Sequence, residues 1–340
     1  MVYSKQMENM MNTLNRTLLV AALSLAFSGA QAATIDPDGI AGGSLSNVAV
    51  LDWTIGNAMV TPTGNGNVTD PKLGDIFQTY AHARLATFND AGGNPIGGLF
   101  GNQEWTYVTG FREQVASVSG TPGVGSATFN TIAGPNNFFE IWYSSTAATV
   151  SSNLTGRNFQ DGTRILWGTV LPFDINDPNK LGQTSFTANT PVDANGNLIP
   201  AVLDQFGTDN YTPVKTITGQ GGGRLGVNVD GWLSAFFPDF KPGVILVDFD
   251  TQLNIPFDKT DPSSCFWNGS AYINGLGPIS PVNAAACAAN TVGAINGISG
   301  PNEVLMTDSA TSLPVPEPMT LALMGIGALA MGVTGRRRKV

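Results

Sequence analysis

The chain has 340 residues, with 16 Lys and Arg against 25 Asp and Glu, a formal net charge of −9. That acidity excludes a nucleic-acid binder, because phosphates are held mainly by cations that neutralise them. A hydrophobic content of 42% excludes a disordered chain.

The first element is a leader. Met11–Arg16 is a short basic stretch, Leu18–Phe27 is apolar, and Ala30-Gln31-Ala32 gives an A-x-A cleavage site before Ala33. This is the pattern of a Sec-type secretory signal peptide over residues 1–32. Met11 is read as the translation start, since residues 1–10 carry none of that logic. The mature body is therefore expected at 33–313. Removing both ends takes away Lys5, Arg16 and four tail cations, with Glu8 and Glu317. Ten cations then face 23 acids, a body near −13 with a polar but weakly charged surface.

The body reads as strands separated by Gly, Pro, Asn and Asp. Val48–Trp53 is a short apolar run. Ile76–Phe88 alternates, with Phe77, Thr79, Ala81, Ala83 and Leu85 on one face and Gln78, Tyr80, His82 and Arg84 on the other. Trp105, Tyr107, Thr109 and Phe111 repeat that period. Ala127–Phe129, Asn137–Tyr143, Thr163–Val170, Val214–Thr218, Leu225–Val229 and Val244–Phe249 follow. Their spacing predicts an all-β fold, an antiparallel β-sandwich with a jelly-roll-like body. Val229–Phe237 reads as a possible short helix. Gly219–Gly223 lacks the G-K-[ST] of a phosphate loop and reads as a flexible turn.

Candidate chemistry is sparse. His82 is the only histidine and no G-x-S-x-G elbow exists, so it reads as a surface or strand-face residue. Glu104, Glu113, Glu140 and Glu303 are the body's only glutamates. Glu113 and Glu140 are expected to pair with Arg112, Arg157 or Arg164, or to face solvent. A carboxylate pair hydrolysing a glycan stays open as an alternative. Asp174, Asn176 and Asp177 gather hard oxygens on a turn, as do Asp36-Pro37-Asp38-Gly39 and Asp258 with Asp261. They are weak Ca²⁺ candidates, and Asx turns use the same residues locally. No other cofactor is expected.

Trp142 and Trp167 lie inside apolar runs and are expected in the core. Trp267, beside Asn268-Gly269, is expected nearer the surface and is the candidate carbohydrate contact, through its flat ring. Cys265 and Cys287 are the only cysteines in a chain expected in an oxidising compartment, which predicts a disulfide between them. Two separate buried thiols are the alternative.

The final element is the tail. Pro316 and Pro318 hold the backbone extended, so an apolar helix over 319–334 begins after them. It is about 24 Å long at ~1.5 Å per residue, short of a ~30 Å hydrocarbon core. Snorkelling of the arginines and local thinning of the bilayer close that gap. Arg336, Arg337, Arg338 and Lys339 favour the cytoplasmic side. An ordinary tail anchor or a buried core helix are the alternatives.

Pro316-Glu317-Pro318, the apolar run and the basic cluster, spanning 314–340, resemble the PEP-CTERM sorting signal of Gram-negative bacteria that secrete exopolysaccharide. That resemblance implies processing by an exosortase, transient residence in the inner membrane, and delivery to the cell surface or extracellular matrix. Within the body, several segments in order resemble the flocculation-associated PEP-CTERM protein family, PepA. They are Asp36-Pro-Asp38-Gly39, Trp53 with Gly56-Asn57-Ala58, Phe77-Gln78, Thr109-Gly110-Phe111, Asn137-Phe138-Phe139-Glu140-Ile141, Gly162-Thr163 with Ile165-Leu166 and Gly168-Thr169, and Met306-Thr307-Asp308-Ser309. The Cys265–Cys287 segment has no counterpart in it. The family implies a non-enzymatic partner of exopolysaccharide in floc and biofilm formation and supplies no catalytic residues. A secreted carbohydrate-active enzyme is the alternative.

Overall fold

A computed structural model describes residues 33–40, 42–68, 70–99, 103–121, 123–145, 150–199, 201–202, 215–216, 218–253, 263, 265–274, 278–279, 287 and 302–313. The signal peptide, the sorting motif, the 319–334 helix and the basic cluster lie outside these residues, as do Asp258 and Asp261.

The elements in order are β1 (Ala33–Ile35), β2 (Leu45–Val48), β3 (Val50–Thr63), β4 (Ile76–Asn89), β5 (Pro95–Gly97), β6 (Glu104–Ser119), β7 (Ser126–Ile132), β8 (Phe138–Ser144) and β9 (Thr163–Val170). They continue with β10 (Gln183–Ala188), β11 (Ala201–Val202), β12 (Lys215–Thr216), β13 (Gly219–Trp232), β14 (Val244–Leu253), β15 (Phe266–Trp267), β16 (Tyr272–Ile273), β17 (Pro278–Ile279) and β18 (Glu303–Ser312). No α-helix occurs among the described residues, and Val229–Phe237 runs from the end of β13 into turns.

The antiparallel all-β expectation holds, but the pairing does not draw the two separate sheets of a sandwich. β3 pairs with β4, β4 with β6, β6 with β8, β8 with β9, β9 with β13, β13 with β14, β14 with β18 and β18 with β3. The eight strands close a ring. β6 and β13 are long enough to exchange partners along their length. Past Gly110, β6 pairs with β7, and before Leu225, β13 pairs with β10, while β7 and β10 pair with each other. The second end is therefore also closed by eight strands, with β7 and β10 replacing β8 and β9. Eight-stranded rings leave an interior that side chains fill or that holds one small ligand.

The period of two decides which residues enter that interior. From β6 these are Trp105, Tyr107, Phe111, Glu113 and Val115, and from β4 they are Phe77, Thr79, Ala81, Ala83 and Leu85, all buried. At the β8/β9 end the interior is packed with rings. Trp53 meets Tyr107 edge-on at 5.0 Å, and Tyr107 stacks on Phe139 at 5.7 Å. Each buried polar tip has a partner, as burial demands. Trp53 Nε1 donates to Thr311 Oγ1 (2.9 Å), Trp105 Nε1 donates to the Pro37 carbonyl (2.8 Å), and Tyr107 Oη lies 3.0 Å from Ser309 Oγ.

Gly219–Gly223 is the first part of β13 and not a flexible turn. A Cβ on Gly221 would lie 2.1 Å from the Ser185 carbonyl oxygen, so only glycine lets β10 approach here. Outside the ring, a second cluster covers β18, β3 and β4. Met59, Tyr80, Val304 and Met306 face outward there, beneath Phe266 and Ile273 of the β15–β17 sheet.

Candidate functional site

The two faces of β6 present two different sites. Arg112 points outward and its neighbour Glu113 points inward.

The outward site is a groove of about 390 Å³ between β3, β4, β6 and the turn before β8, lined by Thr61, Thr63, Gln78, Tyr80, Arg112 and Asn136 and closed at one side by Ile273. Asn136 Nδ2 donates to Tyr80 Oη (3.2 Å), and Thr63 Oγ1 donates to the Ile76 carbonyl (2.9 Å). Thr61 Oγ1 and Arg112 Nε are buried with no hydrogen-bond partner among the described residues. The ion pairs described are Lys72–Asp70, Arg84–Glu104, Arg164–Glu140 and Arg224–Asp248, so among the described residues no carboxylate pairs with Arg112. An orphaned buried donor costs about 1–3 kcal/mol, which a ligand oxygen recovers. A tyrosine ring, two amides, two hydroxyls and a guanidinium are the groups that recognise sugar hydroxyls. The volume falls within the ~300–1,000 Å³ range of small-molecule pockets.

The inward site is a cavity of about 130 Å³ at the β7/β10 end, walled by all eight strands of that ring. Phe77, Phe111, Phe129, Phe186 and Phe249 are its aromatic walls, and Glu113 and Glu303 are its acids. Glu113 is held on both oxygens. Thr79 Oγ1 donates to Oε1 (2.6 Å) and Thr184 Oγ1 to Oε2 (2.8 Å). Burial drives its carboxyl above the usual range, against the two hydroxyls, which favour the charged form. Glu113 thus pairs with neither an arginine nor solvent, contrary to expectation, because β6 turns it into the barrel. Glu140 does pair with Arg164, at 2.6 Å.

His82 is not a surface residue. It lies on the outward face of β4, as the alternation requires, but at 1% exposure. Its ring stacks between Phe159 (4.0 Å) and Phe266 (4.8 Å), and Nε2 is 2.7 Å from Ser263 Oγ. The Ser263 hydroxyl also meets Asn57 Oδ1 (2.7 Å) and the Asn153 carbonyl. With two carbonyl acceptors available, the hydroxyl donates there and accepts from the ring, which places the neutral imidazole's proton on Nε2. Burial lowers its pKa to about 3. The Ser–His contact is sealed, since Ser263 has no exposed surface.

The remaining candidates are scattered. Cys265 and Cys287 form a disulfide with Cα atoms 5.4 Å apart. Trp267 is half-buried against Tyr272 at 5.7 Å, and its Nε1 is buried without a partner among the described residues. It does not line the groove, to which its sheet contributes Ile273. Asp174 Oδ1 accepts from the Asn176 amide (2.8 Å) and Asp177 Oδ1 from the Asn179 amide (2.9 Å), the local bonding of Asx turns. Among the described residues no three His, Cys, Asp or Glu side chains gather as a metal would require. Trp142 and Trp167 are half-buried and not core. Trp142 Nε1 donates to Glu140 Oε2 (3.1 Å), and Arg164 lies over the Trp167 ring at 4.6 Å. The groove went unseen in the sequence because Thr61, Gln78, Arg112 and Asn136 meet only when β3, β4 and β6 pair side by side.

Fold and sites together define a closed antiparallel β-barrel with a polar outer groove and a small acidic lumen. Compared with known families, residues 314–339 match the PEP-CTERM protein-sorting motif. The chain therefore carries the sorting signal of an exported precursor that is held in the membrane and processed by an exosortase. No curated protein matches the chain. No solved structure matches it either.

Proposed function

We propose that this chain is a non-enzymatic matrix protein, exported and sorted by exosortase, whose barrel associates with exopolysaccharide and promotes floc and biofilm formation. The resemblance to the flocculation-associated PepA family supports the last step, and the sorting motif supports delivery to the polymer. The observation that carries the reading is the outer groove, where Arg112 and Thr61 hold unspent donors beside the Tyr80 ring. A body near −13 repels a strongly anionic polymer. The favoured partner is therefore a weakly charged polysaccharide met through its hydroxyls.

Co-sedimentation of the protein with the exopolysaccharide of its own cells tests this. Arg112→Gln removes the guanidinium fork and is expected to weaken binding by about tenfold, in line with one charge-assisted hydrogen bond. Unchanged binding by a folded Arg112→Gln protein removes the groove from the account.

A second reading is a secreted glycoside hydrolase, favoured by one observation. Glu113 and Glu303 line the same aromatic cavity, the kind of acid pair that glycan hydrolysis uses. Size weighs against it. A cavity of about 150 Å³ holds one small aromatic molecule, and the lumen, at about 130 Å³, is of that order and too narrow for a polysaccharide chain. Release of reducing ends from the polymer, abolished by Glu113→Gln, is the result that establishes this reading.

A further inference from the structure

The lumen contains two carboxyl groups, those of Glu113 and Glu303, that the matrix-protein reading does not use, and Glu113 is the one held in place by two hydroxyls. Barrel interiors of this size are ordinarily filled with side chains, and the β8/β9 end is. At the β7/β10 end the side chains do not fill the interior. Gly221 and Gly222 of β13 and Ala58 and Ala81 of β3 and β4 leave about 130 Å³ open. Glu113 projects into that space at 5% exposure. Two threonine hydroxyls fix it from opposite strands, so it is positioned as well as buried. Among the described residues no cation pairs with it, and no Lys, Arg or His lines the cavity. A buried acid is stable when paired, and each of its oxygens retains a lone pair for a further donor.

A second cavity adjoins the first. It measures about 170 Å³ and shares Val68, Pro71, Phe129 and Phe186 with the lumen. Its other walls come from the β6–β7 hairpin, including Ser119, Gly120 and Gly123. The shared residues are all apolar and border both cavities.

We infer that the barrel lumen is a binding site for a small organic ammonium ion, of about the size of benzylamine, with its ring among the phenylalanines and its cation on Glu113. An aromatic-walled cavity of benzene size selects the body of the ligand. The carboxyl selects the head, because an ammonium gives it the charged partner that the fold does not. Phenylalanine ring faces attract the same cation. A carboxylate ligand is excluded by the like charge.

The test is calorimetric titration of the purified full chain in detergent with benzylamine, toluene and benzoate. Ala81→Leu fills the lumen and serves as the reference for partition into micelles. Wild type is expected to bind benzylamine at least about tenfold more tightly than toluene, the increment of one charge-assisted contact, and not to bind benzoate. Glu113→Gln retains a side chain that both threonines can hydrogen-bond. It is expected to lose that tenfold preference while binding toluene as wild type does, and Ala81→Leu is expected to bind neither. If Glu113→Gln fails to accumulate, the comparison of benzylamine with benzoate on wild type decides alone. Equal titration of wild type and Ala81→Leu, or equal affinity for benzylamine and benzoate, overturns the inference. So does a benzylamine affinity that survives Glu113→Gln.

Discussion

The buried imidazole of His82 makes stability depend on pH in a calculable way. In the folded protein it titrates at about 3, against 6.5 for the free side chain. Between those values the unfolded chain binds a proton that the folded chain refuses, so stability is fully present above pH 6.5 and lost as the pH falls toward 3. At pH 5 the loss is about 1.5 pKa units at ~1.36 kcal/mol each, roughly 2 kcal/mol. The cause is geometric. Phe159 and Phe266 cover both ring faces, and Ser263 accepts from Nε2, leaving no water to solvate a cation. Glu113 acts in the opposite sense, because its raised pKa makes acidification stabilising above 4.5, so the wild-type slope alone is not diagnostic. The assay is urea denaturation at pH 7 and pH 5 of wild type and His82→Gln, followed by tryptophan fluorescence. The wild type should lose about 2 kcal/mol more than the variant between the two pH values. Equal losses in both proteins refute the buried neutral histidine.

Two further predictions concern the cover over His82. Cys287→Ser opens the Cys265–Cys287 loop, whose cysteines are 22 residues apart. In the chain-entropy treatment this costs about 3 kcal/mol, and wild type treated with dithiothreitol should show the same shift in urea midpoint. Gly156 lies at φ +68 with its missing Cβ 1.7 Å from the Cys265 carbonyl oxygen, so Gly156→Ala must displace the disulfide segment. At least about 2 kcal/mol of destabilisation is expected from the left-handed backbone and the clash together, and denaturation of the variant checks it.

The strand faces were legible in the sequence because a period of two is local. Phe77, Thr79, Ala81, Ala83 and Leu85 do share the inner face of β4, and Thr163–Val170 is a strand to the residue. The same counting places Glu113 with Phe111 and Val115, so its inward direction was readable even though its expected arginine partner was wrong. What was not readable is which strand lies beside which. Whether strands form a sandwich or a barrel depends on pairings such as β4 with β6 and β18 with β3, and the latter joins Glu303 to Val60. His82 fails for the same reason. Its face looked solvent-exposed because Ser263 and Phe266, about 180 residues later, are the groups that cover it. The glycines at 219–223 look like a turn by composition. Their use as the close-packed start of β13 between β10 and β14 appears only once both neighbours are in place.

A sorted matrix role is measured most directly by floc settling after clean deletion of the gene, with add-back of full-length protein or of a version lacking residues 314–340. Deletion is expected to disperse the cells, full-length protein to restore settling, and the truncated version to fail. Intact flocs after deletion, with exopolysaccharide of altered chain length, contradict that role and support the hydrolase.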